Sequence, residues 1–543
     1  MSLHVVAITE AARLGLGADL LGGKGAGLAA MSRLGLPVPA GFVVTTEVGR
    51  AYLRDGRIPT DVQRAVRDAV ARLEHETGRR LGDPNRPLIV SVRSGAEVSM
   101  PGMMSTVLDV GAPGDPGLRG SDPAGARFVL DTRRRFLRSY ATTVLGLDEQ
   151  TFATLEARRL PVGLVDATGM ADLVREFESV VAAAGRAIPT DPFERLVHAV
   201  DAVLSSWESP RARTYRALHG IPDDLGTAVT VQCMVFGNRD NRSATGVAFS
   251  RDPATGQPEP YGDVLFTAQG VDVVAGRGQT DRLASLAERM PGAWAQLVDA
   301  MATLEDHLHD MCNVEFTVDA GELWLLQARR GSRTGRAAIR IAVDFADEGS
   351  ISRRDAVRRI DPSHVRAGDP TRDEIVEGNV LTTGLGASPG VATGRIATTA
   401  QEGVRLAEQG AVILVRPVTS PVDIHGIAAS NGVLTSSGGL ASHAAVVARS
   451  MAKPAVVGAS AVHVDAAAGT VTIGQTVLRA GDVLTIDGTS GAVIAGDAQT
   501  MSIEHDRHLE RLLGWADDIA GAPSAPRPAH ERLAAAHAVI GSA

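Results

Sequence analysis

The chain has 543 residues, which at about 150 residues per domain predicts three or four compact units. With 44% hydrophobic and 22% charged residues, the composition is that of a globular protein and excludes disordered and fibrous classes. The formal charge is −9 and aromatic residues make up only 3%, which argues against nucleic acid and anionic membranes as partners. Two cysteines cannot form a disulfide framework, and no window is apolar enough to span a membrane, so we expect a cytoplasmic protein.

Near the N-terminus, the segment LLGGKGAGLAAM places Lys24 in a glycine-rich turn before an amphipathic helix. The backbone N–H groups of such a turn, together with a lysine, can neutralise a triphosphate. The spacing matches neither G-x-x-x-x-G-K-[ST] nor G-x-G-x-x-G, which makes a P-loop or a dinucleotide-binding oxidoreductase a poor interpretation. A purely structural turn is the alternative.

Residues 85–110 read as strand, loop and strand, with Arg93 at the end of the first strand. The planar guanidinium of arginine suits phosphate oxygens, and the loop offers backbone donors and hydroxyl groups around Gly102, Met103 and Thr106. These residues therefore predict a phosphate-binding loop. The alternative is that the methionines fill space beside the strands.

Helical spacing follows over 127–146 and 190–218, and strands separated by turns are expected over 227–330. Within the last strands, alternation places Glu315 on one strand and both Gln327 and Arg329 on one face of the next. A carboxylate and an amide oxygen can bind Mg²⁺ while the arginine contacts phosphate. A solvated pair of charged strands is the competing interpretation.

The most informative segment is LTSSGGLASHAAVVARSMAKPAVVG, which contains His443. Gly438 and Gly439 allow a tight turn, and Ser442 is a good N-cap for a helix in whose first turn His443 would lie. A phosphate on that imidazole would face unpaired backbone N–H groups and the positive end of the helix dipole. Neutral imidazole is nucleophilic near pH 7, so the sequence predicts a phosphate-carrying histidine. The alternative is an inert histidine beside a helix start.

In this order, the motifs resemble the pyruvate, phosphate dikinase family along residues 1 to about 500. The SMPGMM loop is closer to the dikinase than to phosphoenolpyruvate synthase. The motifs that carry the resemblance are LLGGKGAGLAAMSRLGLPVPAGF, SVRSGAEVSMPGMMSTVLDVG, IPDDLGTAVTVQCMVFGN, SATGVAFSRDPATG and GGLASHAAVVAR.

The resemblance implies an α+β multi-domain fold and two cofactors, ATP and Mg²⁺. The implied domains are an ATP-grasp nucleotide-binding domain over 1–335, a helical linker over 336–379, a swivelling β/β/α phosphohistidine domain over 380–500 and a helical tail over 501–543.

The same resemblance implies roles for individual residues. His443 matches the phosphorylated histidine. Five residues match nucleotide, phosphate and metal positions, namely Lys24, Arg93, Glu315, Gln327 and Arg329. Three residues match the strand that lies along the nucleotide base, namely Gln232, Met234 and Val235.

The chain departs from the family pattern at several places. Val271 and Asn313 stand where the family has carboxylates, which we expect to weaken metal and ATP handling because Mg²⁺ prefers such ligands. Ala441 stands where a threonine is common, which excludes regulation by its phosphorylation. The family continues into a barrel that binds phosphoenolpyruvate and pyruvate. This chain ends where that barrel would begin, so we expect that it does not complete the pyruvate reaction alone.

Two hypotheses follow. In the first, ATP phosphorylates His443, with orthophosphate as a candidate co-substrate, and the group passes to a separate acceptor protein or small molecule. In the second, the chain is a catalytically impaired nucleotide-binding or regulatory relative without turnover. Val271 and Asn313 favour the second hypothesis. The first is favoured by the retained residues Lys24, Arg93, Glu315, Gln327, Arg329 and His443.

Overall fold

A computed structural model describes most of the chain and divides it into two compact units. One unit comprises Met1–Asn241 with Trp324–Gln327, and the other comprises Arg242–Leu323 with Ala328–Ala543. The described residues are 3–98, 100, 103–113, 123–159, 166–270, 281–362, 365, 372–440, 442–503, 507–521 and 527–541.

The first unit is built on an antiparallel sheet in the order β1-β2-β7-β5-β6. All residues of the central strand β7 are buried, which explains its nearly continuous apolar sequence. The expected strand, loop and strand over 85–110 are confirmed. The strands are β1 (Val5–Ala7), β2 (Gly41–Val44), β3 (Arg80–Leu81), β4 (Pro87–Leu88), β5 (Val90–Gly95), β6 (Thr106–Val110) and β7 (Ala228–Cys233).

Helices surround this sheet and share its hydrophobic core. Several begin at the capping residues that the sequence offers, as where the side chain of Asp166 accepts from the N–H of Gly169 at 2.8 Å. The helical expectations over 127–146 and 190–218 are confirmed. The helices are α1 (Ile8–Leu14), α2 (Ala18–Arg33), α3 (Thr46–Asp55), α4 (Thr60–Thr77), α5 (Pro123–Thr143), α6 (Glu149–Arg159), α7 (Ala167–Ala183), α8 (Pro192–Ser205) and α9 (Pro210–His219).

The second unit begins with a sheet in the order β10-β9-β8-β11-β12. The strands are β8 (Ala244–Phe249), β9 (Tyr261–Phe266), β10 (Asp281–Arg282), β11 (Cys312–Asp319) and β12 (Glu322–Arg330), and the middle of β12 clusters with the first unit. Helices α10 (Ser285–Arg289) and α11 (Pro291–Leu308) lie between β10 and β11, and α12 (Gly335–Asp347) and α13 (Arg353–Arg359) follow β12.

The remainder of the second unit holds the predicted phosphohistidine segment. Its main sheet has the order β13-β23-β22-β15-β16-β17-β18-β14, and a smaller one pairs β19-β20-β21. The strands are β13 (Arg372–Thr383), β14 (Leu385–Ser388), β15 (Val391–Ala397), β16 (Val412–Arg416), β17 (Gly432–Thr435), β18 (Ala455–Val457), β19 (Val462–Asp465), β20 (Thr470–Ile473), β21 (Thr476–Arg479), β22 (Val483–Asp487) and β23 (Ala492–Ile503). The helices are α14 (Ala400–Ala407), α15 (Ile424–Ala429) and α16 (His443–Ser450).

The helices before and after this segment share one hydrophobic core. Two C-terminal helices, α17 (Arg507–Ala520) and α18 (Ala529–Gly541), pack with α12 and α13 around Leu512 and Leu533. Strand β13 begins at Arg372, inside the segment expected to be a helical linker, and pairs with β23. The fold class is α+β and multi-domain, as expected. Among the described residues, no helix has the length and apolar character needed to cross a membrane.

Candidate active site

The glycine-rich segment of Lys24 is held against the end of strand β5. The helix α2 is broken at Gly22, whose φ of 66° lies in the left-handed region. A Cβ at Gly22 would come within 1.5 Å of the carbonyl oxygen of Gly95, so only glycine allows this approach. The Nζ of Lys24 donates to the carbonyl oxygen of Ser94 at 3.0 Å. Lys24 therefore lies beside the strand that carries Arg93.

Arg93 is half-buried on β5, between two other strands of the sheet. Its backbone is in register with Thr106 of β6 and with Thr230 of β7. The hydroxyl of Thr230 is buried and has no hydrogen-bond partner among the described residues. The structure thus brings together the predicted phosphate-binding residues Lys24, Arg93 and Thr106 at one end of the sheet.

The methionines of the predicted phosphate-binding loop also have a packing role. Met100 is 7% exposed and packs with Trp207, and Met103 and Met104 lie against the same cluster. The carbonyl oxygen of Met103 accepts from Nε of Arg211 at 3.0 Å. The packing interpretation of these methionine side chains is therefore confirmed, and the phosphate-binding role of the loop stays a prediction.

The residues expected along the nucleotide base differ in their surroundings. Gln232 is 1% exposed, and its Nε2 donates to the carbonyl oxygen of Pro39 at 3.1 Å, so this amide supports the sheet. Met234 and Val235 are half-buried and follow the end of β7. Met234 and Val235 are therefore more exposed than Gln232, and the role of all three beside a base stays a prediction.

In the second unit, Asn313 and Arg329 are joined directly. The Nε of Arg329 donates to Oδ1 of Asn313 at 3.2 Å, and Asn313 is 3% exposed. Glu315 lies two residues along the same strand and hence on the same face of β11 as Asn313. Gln327 lies on β12 in the part that belongs to the first unit.

The donor chemistry of this strand fits a magnesium ion that a nucleotide helps to bind. In the part of the chain that the structure describes, no three or more His, Cys, Asp or Glu side chains form a metal-binding group. Mg²⁺ is commonly held by one or two carboxylates and completes its coordination with phosphate oxygens and water. One carboxylate, Glu315, is compatible with that arrangement, and the amide oxygen of Asn313 on the same strand already accepts from Arg329.

His443 is the first residue of α16, as expected from the sequence. Ser442 caps this helix, because its side chain accepts from the N–H of Ala445, and Gly438 adopts a φ of 106° in the preceding turn. The imidazole is half-buried. Burial lowers the pKa of His443 below its usual value, although the nearby charge of Asp423 opposes the shift. The neutral, nucleophilic form is therefore favoured at neutral pH.

Thr419 is a site residue that sequence reasoning missed. Its Oγ1 lies 3.2 Å from Nδ1 of His443, and Thr419 is itself buried. Asp423 ends the short helical turn Pro421–Asp423, and its carboxylate accepts from the N–H of Ser420 at 2.9 Å and pairs with Arg416. The only signal in the sequence was the run of turn residues after the apolar strand β16, which does not indicate contact with a histidine 24 positions away.

Some residues singled out from the sequence lie outside the described residues. They are Gly102, Val271 and Ala441.

Two family models match the chain. The model for the pyruvate phosphate dikinase AMP/ATP-binding domain matches residues 18–62, 50–293 and 292–349. The model for the mobile domain of PEP-utilising enzymes matches residues 408–491, which include Thr419 and His443.

Curated relatives are similar along most of this chain. Pyruvate, phosphate dikinase from Rhizobium meliloti (strain 1021) is 45% identical over 523 residues, covering 92% of this chain and 58% of the relative. Pyruvate, phosphate dikinase 2 from Zea mays is 43% identical, with the same 92% and 58% coverage. The chloroplastic pyruvate, phosphate dikinase from Flaveria pringlei is 42% identical, with 92% and 54% coverage. The chain therefore spans between half and two thirds of the length of these relatives.

Proposed function

Because the chain belongs to the pyruvate, phosphate dikinase family, we propose that it is an ATP-dependent phosphotransferase whose phosphoryl carrier is His443. The observation that supports this most strongly is the environment of His443. A half-buried imidazole with a lowered pKa begins a capped helix, and its Nδ1 is within hydrogen-bond distance of a buried hydroxyl. This combination favours a neutral nucleophile whose product is a dianion facing a helix N-terminus.

Thr419 determines which ring nitrogen reacts. When the N–H at Nδ1 donates to Oγ1 of Thr419, the lone pair of Nε2 is free. Nε2 attacks a phosphorus atom of the nucleotide, so an N–P bond forms while the bridging P–O bond breaks. The bridging oxygen leaves with the rest of the nucleotide, and the ring proton stays on Nδ1. The phosphoryl group then passes from Nε2 to the acceptor.

Roles in nucleotide binding are proposed residue by residue from the family resemblance. Lys24, Arg93 and the loop at Gly102, Met103 and Thr106 would contact its phosphates. Met234 and Val235 would lie along the base. Glu315 and Gln327 would hold Mg²⁺, which neutralises phosphate charge, and Arg329 would meet a phosphate oxygen. The hydrogen bond that Nε of Arg329 donates to Oδ1 of Asn313 supports this role because it orients the guanidinium.

The acceptor is proposed to be a separate protein or small molecule. The relatives are named for pyruvate and phosphate, so these two compounds are the first candidates to test on this chain.

The experiment is intact-mass measurement after incubation with ATP and Mg²⁺, with and without orthophosphate. We expect a gain of about 80 Da that is lost in acid. The His443→Asn variant is expected to gain nothing. His463→Asn is the matched control, because His463 is an exposed histidine of the same domain whose Nδ1 contacts only a local backbone carbonyl among the described residues.

The alternative is a relative that binds nucleotide without turnover. It would be supported if ATP binds, as measured by calorimetry, while no mass gain occurs under either condition. An equal gain in the wild type and in His443→Asn would contradict His443 as the carrier.

A further inference from the structure

Arg449 connects the helix of His443 to the loop that precedes it. This arginine is the seventh residue of α16 and is 1% exposed. Its Nη1 donates to the carbonyl oxygen of Ala387 and its Nη2 to that of Leu440, each at 2.7 Å. Leu440 lies three residues before His443. The guanidinium therefore fixes both the start of α16 and strand β14 beside it.

The charge of Arg449 is unusual because no carboxylate among the described residues lies within ion-pair distance of it. Its Nε is buried without a hydrogen-bond partner in the same described part of the chain. A desolvated cation held only by carbonyl oxygens is costly, and burial lowers the pKa of Arg449 accordingly. The acidic groups that favour its charge at longer range are Asp252 and Asp263, which belong to the β8–β9 region rather than to the phosphohistidine segment.

Two aromatic residues of that region, Phe249 and Tyr261, pack near Arg449 and its helix. Phe249 of β8 and Tyr261 of β9 are directly opposite each other in the antiparallel pair, so their rings lie on one face of the sheet. The guanidinium carbon of Arg449 is 5.7 Å from the ring centre of Phe249. Tyr261 packs both against the core of Phe249 and against the core around Ala444, Ala445 and Ala448. The aromatic pair thus shields Arg449 from water.

We propose that Arg449 is a positioning residue for His443, and that its hold on the loop depends on coverage by Phe249 and Tyr261. The role in transfer rests on the phosphotransferase function proposed above. While the aromatic pair covers the guanidinium, water does not compete for its bonds to Leu440 and Ala387, and these bonds hold Leu440 beside α16. When the phosphohistidine segment leaves the β8–β9 face, water reaches the guanidinium and those bonds weaken. The position of His443 therefore depends on whether the phosphohistidine segment is docked on the β8–β9 face.

The test uses the full chain and three variants, Tyr261→Ala, Tyr261→Phe and Arg449→Lys, with Arg395→Lys as matched control. Arg395 is an exposed arginine of the same segment that contacts Gln409. The first readout is an NMR titration of the His443 imidazole, which requires no phosphoryl transfer. The second is the single-turnover rate of phosphorylation from ATP, with the KM for ATP measured separately. Thermal unfolding of each variant confirms that it is folded.

We expect Tyr261→Ala and Arg449→Lys to shift the His443 titration toward the value of a free imidazole and to slow phosphorylation about tenfold at unchanged KM. Tyr261→Phe keeps the ring and is expected to retain the wild-type titration, and Arg395→Lys to match the wild type in both readouts. A wild-type titration in both Tyr261→Ala and Arg449→Lys would overturn the proposal. If no form of the chain is phosphorylated, the phosphotransferase function fails, and the titration still decides the positioning role of Arg449.

Discussion

The hydroxyl of the buried Thr419 lies within hydrogen-bond distance of Nδ1 of His443. Replacing Thr419 by valine keeps the shape and removes the hydroxyl that is proposed to accept from Nδ1 of His443. We expect Thr419→Val to slow phosphorylation of His443 about tenfold or more, because the reactive tautomer is no longer favoured. Thr419→Ser keeps the hydroxyl and is expected to remain close to the wild type. Rapid-quench kinetics would measure both, and equal rates for valine and serine would contradict the role of the hydroxyl.

The pH dependence of phosphorylation follows from the lowered pKa of His443. Since burial disfavours the imidazolium, Nε2 remains unprotonated down to pH values below the ordinary pKa of about 6.5. We expect the single-turnover rate to be constant through neutrality and to fall only in more acidic solution. A fall centred above about pH 6.5 would show that protonation of His443 does not control the step.

Asp109 is a buried carboxyl group with no hydrogen-bond partner for either oxygen among the described residues. It is 1% exposed and lies in the left-handed region with a φ of 58°. Burial raises the pKa of Asp109 to about 7, although Arg135 opposes the shift. By contrast, Arg135 and Arg134 hold the pKa of Asp131 below its usual range in spite of its burial. Folding therefore favours the protonated form of Asp109 and the ionised form of Asp131.

A raised pKa means that the folded state binds a proton that the unfolded state has released. The stability that protonated Asp109 provides is present in acid and is lost as pH rises through about 7. We expect Asp109→Asn to increase the free energy of unfolding at about pH 8 by roughly 1–3 kcal/mol, and by less at about pH 5. Asp131→Asn is the matched comparison and is expected to destabilise. Urea unfolding at both pH values measures this, and an equal effect of Asp109→Asn at both would contradict it.

These residues show how far the sequence predicts the site. Lys24, Arg93 and His443 could be found because each stands in a local pattern of glycines, strand and cap that constrains its chemistry. Thr419 and Asp109 could not be found in this way. The contact of Thr419 with His443 and the burial of Asp109 both depend on segments that are distant in the sequence. The buried hydrogen bond of Gln232 was hidden for the same reason.

The glycine break within α2 is the element that places Lys24. A side chain at Gly22 would meet the backbone of Gly95 and would also need a left-handed φ. We expect Gly22→Ala to weaken ATP binding strongly and to lower stability by more than about 2 kcal/mol. Gly35→Ala is the control, since Gly35 has a similar φ of 74° but nothing within 4 Å of its added Cβ. Similar losses for the two variants would show that backbone strain alone, and not the contact with Gly95, explains the effect.

Strand β11 carries Asn313, which the sequence resemblance places where the family is expected to have a carboxylate. Asn313 accepts from Arg329, and an aspartate there would accept in the same way while adding a negative charge beside Glu315. We expect Asn313→Asp to lower the Mg²⁺ concentration needed for half-maximal phosphorylation several-fold. Titration of the rate with Mg²⁺ measures this. An unchanged requirement would show that the asparagine is compensated by other ligands.

Most elements could be predicted from hydrophobic period and turn residues, including the strands at 85–110 and the helix of His443. The pairing of β13 with β23 could not, because strands more than a hundred residues apart carry no local sign of their register. The core shared by α12, α13, α17 and α18 could not be predicted either. The sequence of each helix shows that one face is apolar but not which other helix covers that face.

At the scale of the whole molecule, neither compact unit is one continuous stretch of the sequence. The first unit includes Trp324–Gln327 from strand β12, and the second combines the β8–β12 sheet with the phosphohistidine segment. Sequence motifs identify which family the chain belongs to, whereas only long-range packing assigns β8 and β9 to the same compact unit as His443.

The most direct test of phosphoryl transfer through His443 is a long-range ¹H–¹⁵N and ³¹P NMR measurement on the ¹⁵N-labelled chain after reaction with ATP and Mg²⁺. We predict a single phosphohistidine with phosphorus on Nε2 of His443 and a proton on Nδ1, next to Thr419. Phosphorus on Nδ1, on another residue, or on none while ATP is bound would contradict the account.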